Sequence, residues 1–194
     1  MNSDDDHKIL KYTNDVKLPE IKQLKIDKLS ETVDPNLEKF LKHSICQPLQ
    51  LFLFNWGNKK IRMKNYIDLI IPIIKNTTKE VCIYAPIIDY NEFSKLVQAS
   101  KNCSRLIFSG LTFIKQGKID FRRDLDYNIK YFSLQGAGHS LHSNWTEDKS
   151  ELNAITKEIR ESQMEKKLKT INLCGCNVTV ADVVFSGVKV DLTD

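Results

Sequence analysis

Apolar residues recur two apart in a series of short runs beyond residue 48, which is the period of a strand with one face buried. Such pairs stand at Phe52 and Phe54, Val81 and Ile83, Leu106 and Phe108, Phe132 and Leu134, Ile171 and Leu173, and Val188 and Val190. Between several of them the period lengthens to that of a helix. Arg62 to Lys75 carries Tyr66, Leu69, Ile70, Ile73 and Ile74 on one side, with Pro72 as a kink. Asp89-Tyr90-Asn91-Glu92 has the form of a capping box and precedes Phe93, Leu96 and Val97. Asp148 to Glu161 places Leu152, Ile155 and Ile159 on one face, and Thr179-Val180-Ala181-Asp182 opens a short last helix. Upstream, Asp34-Pro35 starts a helix with Leu37, Phe40 and Leu41 inward, because Pro35 needs no partner at the first helical position. Ile114 to Tyr127, with Gly117 and a charged run from Asp120 to Asp126, reads as an extended loop. Residues 1 to 33 sustain no period and read as an arm, partly disordered or laid over the body.

The strand runs fit one template of spacing, L-x-x-L-x-L-x-x-(N/C)-x-L. Leu168-x-x-Ile171-x-Leu173-x-x-Cys176-x-Val178 fills it completely, with Cys176 at the turn. Ile129-x-x-Phe132-x-Leu134 fills its first three positions, Cys103-x-x-Leu106-x-Phe108-x-x-Leu111-x-Phe113 matches in polarity with Leu at the turn, Thr78-x-x-Val81-x-Ile83-x-x-Pro86-x-Ile88 keeps the strand pair and the last position, and Leu49-x-x-Phe52-x-Phe54 and Phe185-x-x-Val188-x-Val190 keep only the strand. The second apolar position falls at residues 52, 81, 106, 132, 171 and 188. Three of the five steps lie within the range of about 20 to 29 residues expected of leucine-rich repeats.

The pattern resembles the leucine-rich repeat superfamily, nearest its ribonuclease-inhibitor-like kind, over roughly residues 48 to 192. The resemblance implies an α/β fold, a short solenoid with a parallel sheet of about five to six strands and convex helices. Its domain spans residues 34–194 after the arm at 1–33. It departs from the family in uneven spacing and in aromatic residues that replace several leucines. An ordinary α/β domain with a parallel sheet, made of the same strand–helix–strand units, is the alternative. Leucine-rich solenoids bind through the concave sheet. On this template the concave positions are Glu80, Cys82 and Tyr84; Arg105, Ile107 and Ser109; Tyr131, Ser133 and Gln135; Thr170, Asn172 and Cys174; then Lys189 and Asp191. Tyr and Arg suit a protein interface because they bury area and still offer hydrogen bonds.

Composition narrows the choice further. The 194 residues suffice for one sizeable domain, and a net charge of +4 is mild. No apolar run reaches the length of a membrane span, and the acidic start Met1-Asn2-Ser3-Asp4-Asp5-Asp6-His7 has no signal-peptide character, so a cytoplasmic or cytosol-continuous location is expected. The five cysteines, Cys46, Cys82, Cys103, Cys174 and Cys176, form no disulfide framework and no complete zinc site. No cofactor or metal is expected.

No P-loop, dinucleotide fingerprint or nucleophile elbow is present. The most enzyme-like fragment is His139-Ser140-Leu141-His142, near Gly136, Gly138 and Ser143, which supplies residue types for hydrolysis but reads more simply as a polar turn. Trp56 and Trp145 read as plugs over the ends of a core. The cluster Lys59, Lys60, Arg62 and Lys64 could touch phosphates, and its plainer reading is a solvated face. The expectation is therefore a non-catalytic protein-interaction module or structural subunit with a protein partner. A nucleic-acid adaptor using Lys59 to Lys64 comes second, and a hydrolase centred on His139 and His142 last.

Overall fold

A computed structural model describes residues 21–27, 29–43, 47–54, 61–84, 86–135, 150–174 and 185–192. The fold is α/β. Seven parallel strands form the main sheet, namely β1 (Gln23–Ile26), β2 (Gln50–Leu53), β4 (Glu80–Tyr84), β6 (Arg105–Ser109), β8 (Tyr131–Gln135), β9 (Thr170–Asn172) and β10 (Lys189–Asp191). They lie side by side in the order in which the chain makes them. A second parallel sheet joins β3 (Ile61–Arg62), β5 (Pro86–Asp89) and β7 (Thr112–Ile114). The helices are α1 (Pro35–His43), α2 (Ile67–Asn76), α3 (Tyr90–Ala99) and α4 (Ser150–Glu161). The second-sheet strands follow the main strands in turn, so the chain repeats strand, turn and short strand, and in two units closes with a helix.

Local chemistry places the helices where the pattern predicts them. Asp34 Oδ1 accepts from the Asn36 and Leu37 N–H groups at 2.8 and 3.0 Å and so caps α1. In α3 the capping box is complete: Asp89 Oδ1 accepts from Glu92 N, and Glu92 Oε2 accepts from Asp89 N. Helix α2 is shorter than expected. It starts at Ile67, after a 3-10 turn over Met63–Asn65, and contains Pro72 on its exposed side. Residues 115 to 127 form no helix, as their composition predicts. The short last helix expected at residues 179–182 lies outside the described residues.

The core lies on one face of the main sheet. Leu51, Val81, Leu106, Phe132 and Ile171 align across successive strands, as do Leu53, Ile83, Phe108 and Leu134, and all are buried. They pack against Ile70, Ile73 and Ile74 of α2, Phe93, Leu96 and Val97 of α3, and Ile155 and Ile159 of α4. Phe93 sits at the centre, with Phe108, Phe113 and Phe121 rings between 5.0 and 5.9 Å away.

Three expectations change. The main sheet has seven strands where about five to six were expected, and β1 falls within the segment read as an arm. That strand is a four-residue edge with one buried side chain, Ile26, so it shows too little periodicity to be seen in the sequence. In β2 the residue aligned with Val81 is Leu51, and Phe52 aligns with Cys82. A shift of one residue turns every side chain to the other face. The sequence Leu51-Phe52-Leu53-Phe54 is apolar in both alternations, so periodicity alone could not choose between them. In β10 Val190, and not Val188, aligns with Ile171, a shift of two that keeps the faces.

Candidate functional site

The face of the main sheet opposite the core carries every expected concave position that lies within a described strand. Register arranges these side chains in rows. The first row runs Gln23, Gln50, Glu80, Arg105, Tyr131, Thr170 and Lys189. The second runs Lys25, Phe52, Cys82, Ile107, Ser133, Asn172 and Asp191. Beyond them Tyr84, Ser109 and Gln135 align, with Cys174 just past β9.

In the first row Arg105 is held from both sides. Its Nε lies 3.3 Å from Glu80 Oε2, and its guanidinium lies 4.3 Å from the centre of the Tyr131 ring. The row is therefore a cross-strand ladder of acid, cation and aromatic ring. The Arg105 side chain stays 45% exposed, so it remains open to a further partner. Beside it lies an aromatic cluster. Phe54 stacks on Phe52 with ring centres 5.8 Å apart, and on Tyr84 at 4.5 Å. All three rings are half-buried.

The second row differs from the expectation that it would be exposed. Cys82, Ile107 and Ser133 are buried. Cys82 and Ser133 are short side chains, flanked along their strands by longer ones, Glu80 and Tyr84 or Tyr131 and Gln135. The Ser133 hydroxyl has no hydrogen-bond partner among the described residues. Burial pushes the Cys82 thiol up to about 11, against the opposing hydrogen bond from Tyr84. The same bond, with the Tyr84 hydroxyl as donor, raises Tyr84 in turn, to about 12. A thiol so protonated is a poor nucleophile and a poor metal ligand at neutral pH. Thr170, Asn172, Cys174, Ser109 and Gln135 are half-buried, and Asn172 Oδ1 accepts from Cys174 N at 2.9 Å to form the turn that ends β9.

Elsewhere, among the described residues, clefts open on the helix side. One, of about 300 Å³, is bordered by Tyr90, Gly117, Lys118, Glu151, Lys157 and Glu158. Its carboxylates already hold the chain together. Glu151 accepts from the Tyr90 hydroxyl at 3.1 Å and pairs with Lys115 at 3.6 Å, and Glu158 accepts from Phe121 N at 3.0 Å. Another, of about 260 Å³, lies among Arg123, Asp126, Tyr127, Gln163 and Lys167, where Lys167 pairs with Asp126 at 2.6 Å. No group of three His, Cys, Asp or Glu side chains able to hold a metal occurs among the described residues, and Cys82 and Cys103 are thiols outside any disulfide. Burial lifts Cys103 to about 12.

His139, His142, Ser140, Ser143, Trp56, Trp145, Lys59, Lys60, Cys46 and Cys176 lie outside the described residues. Arg62, the last residue of β3, and Lys64, in the 3-10 turn before α2, are exposed and belong to no strand of the main sheet. Sequence reasoning missed Phe52 and Phe54 as members of the open face. Their aromatic character beside Tyr84 is the only signal that pointed there. No described helix is long and apolar enough to cross a membrane. No family model matches the chain, and no curated protein or solved structure is significantly similar to it.

Proposed function

We propose that this chain is a non-catalytic, leucine-rich-repeat-like interaction module that binds a protein partner through the open face of its main sheet. The observation that carries the reading is the half-exposed surface of Phe52, Phe54, Tyr84, Arg105 and Tyr131, on the face that the described helices leave free. Stacked aromatic rings beside a guanidinium are typical anchors, because they offer large rigid area with little entropy left to lose. The strictly sequential parallel order supports the solenoid part of the reading. A doubly wound α/β sheet reverses its strand order and binds small ligands at the reversal, and the described strands contain no such reversal.

The partner is a protein, of the cytosol or a structure continuous with it. The chemistry on the face favours association over catalysis, since its thiol is held protonated and its carboxylate is paired. A photo-crosslinking residue at Ser109, on the open face, should capture a defined protein in the native cell. The same residue at Lys95, on α3, should not. Substituting Arg105→Ala with Tyr131→Ala should lower that capture at least tenfold, about 1.4 kcal/mol at a central anchor, without lowering the unfolding midpoint substantially. Equal capture from Lys95 would move the interface to the helices and overturn the reading.

A further inference from the structure

The edge of the main sheet where its strands begin carries a row of amines. Backbone hydrogen bonds define the row. Gln50 N donates to Lys22 O, Lys79 N to Leu49 O, Ser104 N to Lys79 O, Lys130 N to Ser104 O, and Lys169 N to Lys130 O. The residues that precede β1, β2, β4, β6, β8 and β9 are thus Lys22, Leu49, Lys79, Ser104, Lys130 and Lys169, one register step before each strand. All four lysines are exposed, and none is in an ion pair with a described residue. At about 4.8 Å per strand the row extends over roughly 24 Å.

Two more cations join it, for a different reason. The helices run opposite to the strands, so α2 ends at this edge with Lys75, and the turn after α3 brings Lys101 there. Cations at helix ends suit the dipole, and that accounts for Lys75 and Lys101. It does not account for the four lysines at strand starts, which belong to no helix: Lys79 stands three residues past the end of α2, and Lys22, Lys130 and Lys169 directly precede strands. The acids nearby are largely engaged: Glu80 with Arg105, Asp124 with Arg122, and Asp126 with Lys167. Asn102 and Asn128 interleave with the amines, their side chains exposed while each donates to a backbone carbonyl.

We infer that this rim is a binding surface for the phosphodiester backbone of a nucleic-acid duplex. Exposed amines along a line, in no ion pair among the described residues, fit a polyanion whose charges recur along a line. Aromatic platforms for stacking on unpaired bases are absent among the rim's described residues, which favours backbone contact over single-strand recognition. A membrane surface is the rival polyanion. Stable membrane anchoring usually adds apolar side chains to a basic face, and no large apolar side chain of the described residues is in the exposed class. The rim adjoins the first row of the open face, one residue along each strand, but its four lysines are not among that face's proposed anchors, so the inference does not rest on the protein-binding proposal.

The test is a titration of the full chain with a fluorescent duplex RNA and a duplex DNA between 50 and 200 mM salt. Four phosphate contacts predict a slope of about −3.6 in log affinity against log salt, or roughly a hundredfold loss across that range. The quadruple variant Lys22→Gln, Lys79→Gln, Lys130→Gln and Lys169→Gln should abolish most of that slope. A charge-matched variant, with Lys64, Lys95, Lys118 and Lys157 each changed to Gln, should keep it. Absence of duplex binding would overturn the inference. So would equal loss in both quadruple variants, which is a net-charge effect. Binding to phosphatidylserine vesicles through the same four lysines, without duplex binding, would assign the rim to a membrane and overturn it as well.

Discussion

At the scale of single residues, Glu92 shows how one carboxylate serves the fold at a cost. Its Oε2 accepts from Asp89 N at 3.0 Å and completes the cap of α3, yet the residue is only 9% exposed. Burial raises its carboxyl above the ordinary value of 4.5, and the nearby Asp89 charge adds to that, while the bond from the Asp89 N–H opposes it. A carboxyl raised in the fold holds its proton more tightly there than in the unfolded chain. Its contribution to stability is therefore fully present below about pH 4.5 and is lost as pH rises through the raised value. Glu92→Gln keeps the acceptor and removes the charge. It should match or exceed the parent in urea midpoint at neutral pH and show a flatter stability profile above pH 4.5. Glu92→Ala should lose about 1 kcal/mol through the broken cap. A loss from Gln as large as that from Ala would show that the charge itself is needed. The cap was legible from four consecutive residues, because a capping box is a local device. The burial that raises Glu92 was not, because it depends on what packs against the helix.

Among the elements, β2 is where sequence and structure part most clearly. Leu51-Phe52-Leu53-Phe54 supports either face, and pairing with β4 selects Leu51 and Leu53 for the core. Leu51→Ala should cost about 2–4 kcal/mol, since it empties space beneath the sheet. Phe52→Ala should cost about 1 kcal/mol, the worth of its stack on Phe54 plus partial burial. Urea denaturation of the two variants checks the register directly, and a reversed order would place Phe52 inside. The same element explains what could be read of the candidate site. Where one alternation is polar, as in Glu80-Val81-Cys82-Ile83-Tyr84 or Tyr131-Phe132-Ser133-Leu134-Gln135, the open face was legible. Where both are apolar, Phe52 and Phe54 escaped notice. Also illegible was the burial of Cys82, Ile107 and Ser133, because it depends on the rows beside them.

Across the whole molecule, sequential strand order makes each strand's neighbours its neighbours in the chain, so cohesion should fall from the centre toward the edges. Hydrogen exchange should be slowest in β4, β6 and β8, five-residue strands paired on both sides, and faster in β1 and β10. Exchange in β10 as slow as in β6 would mean that other parts of the chain complete that edge. The sequence alone determined which runs are strands and helices, where α1 and α3 begin, and which face of most strands is buried. These depend on spacings of two to four residues, so the pattern carries them. Only the tertiary structure decided the seventh strand, the second sheet, the register of β2 and the line of lysines at the sheet edge. Those depend on which residues meet from parts of the chain 19 to 39 residues apart. Alternation within a strand holds no record of that lateral pairing, and packing on one shared core selects it.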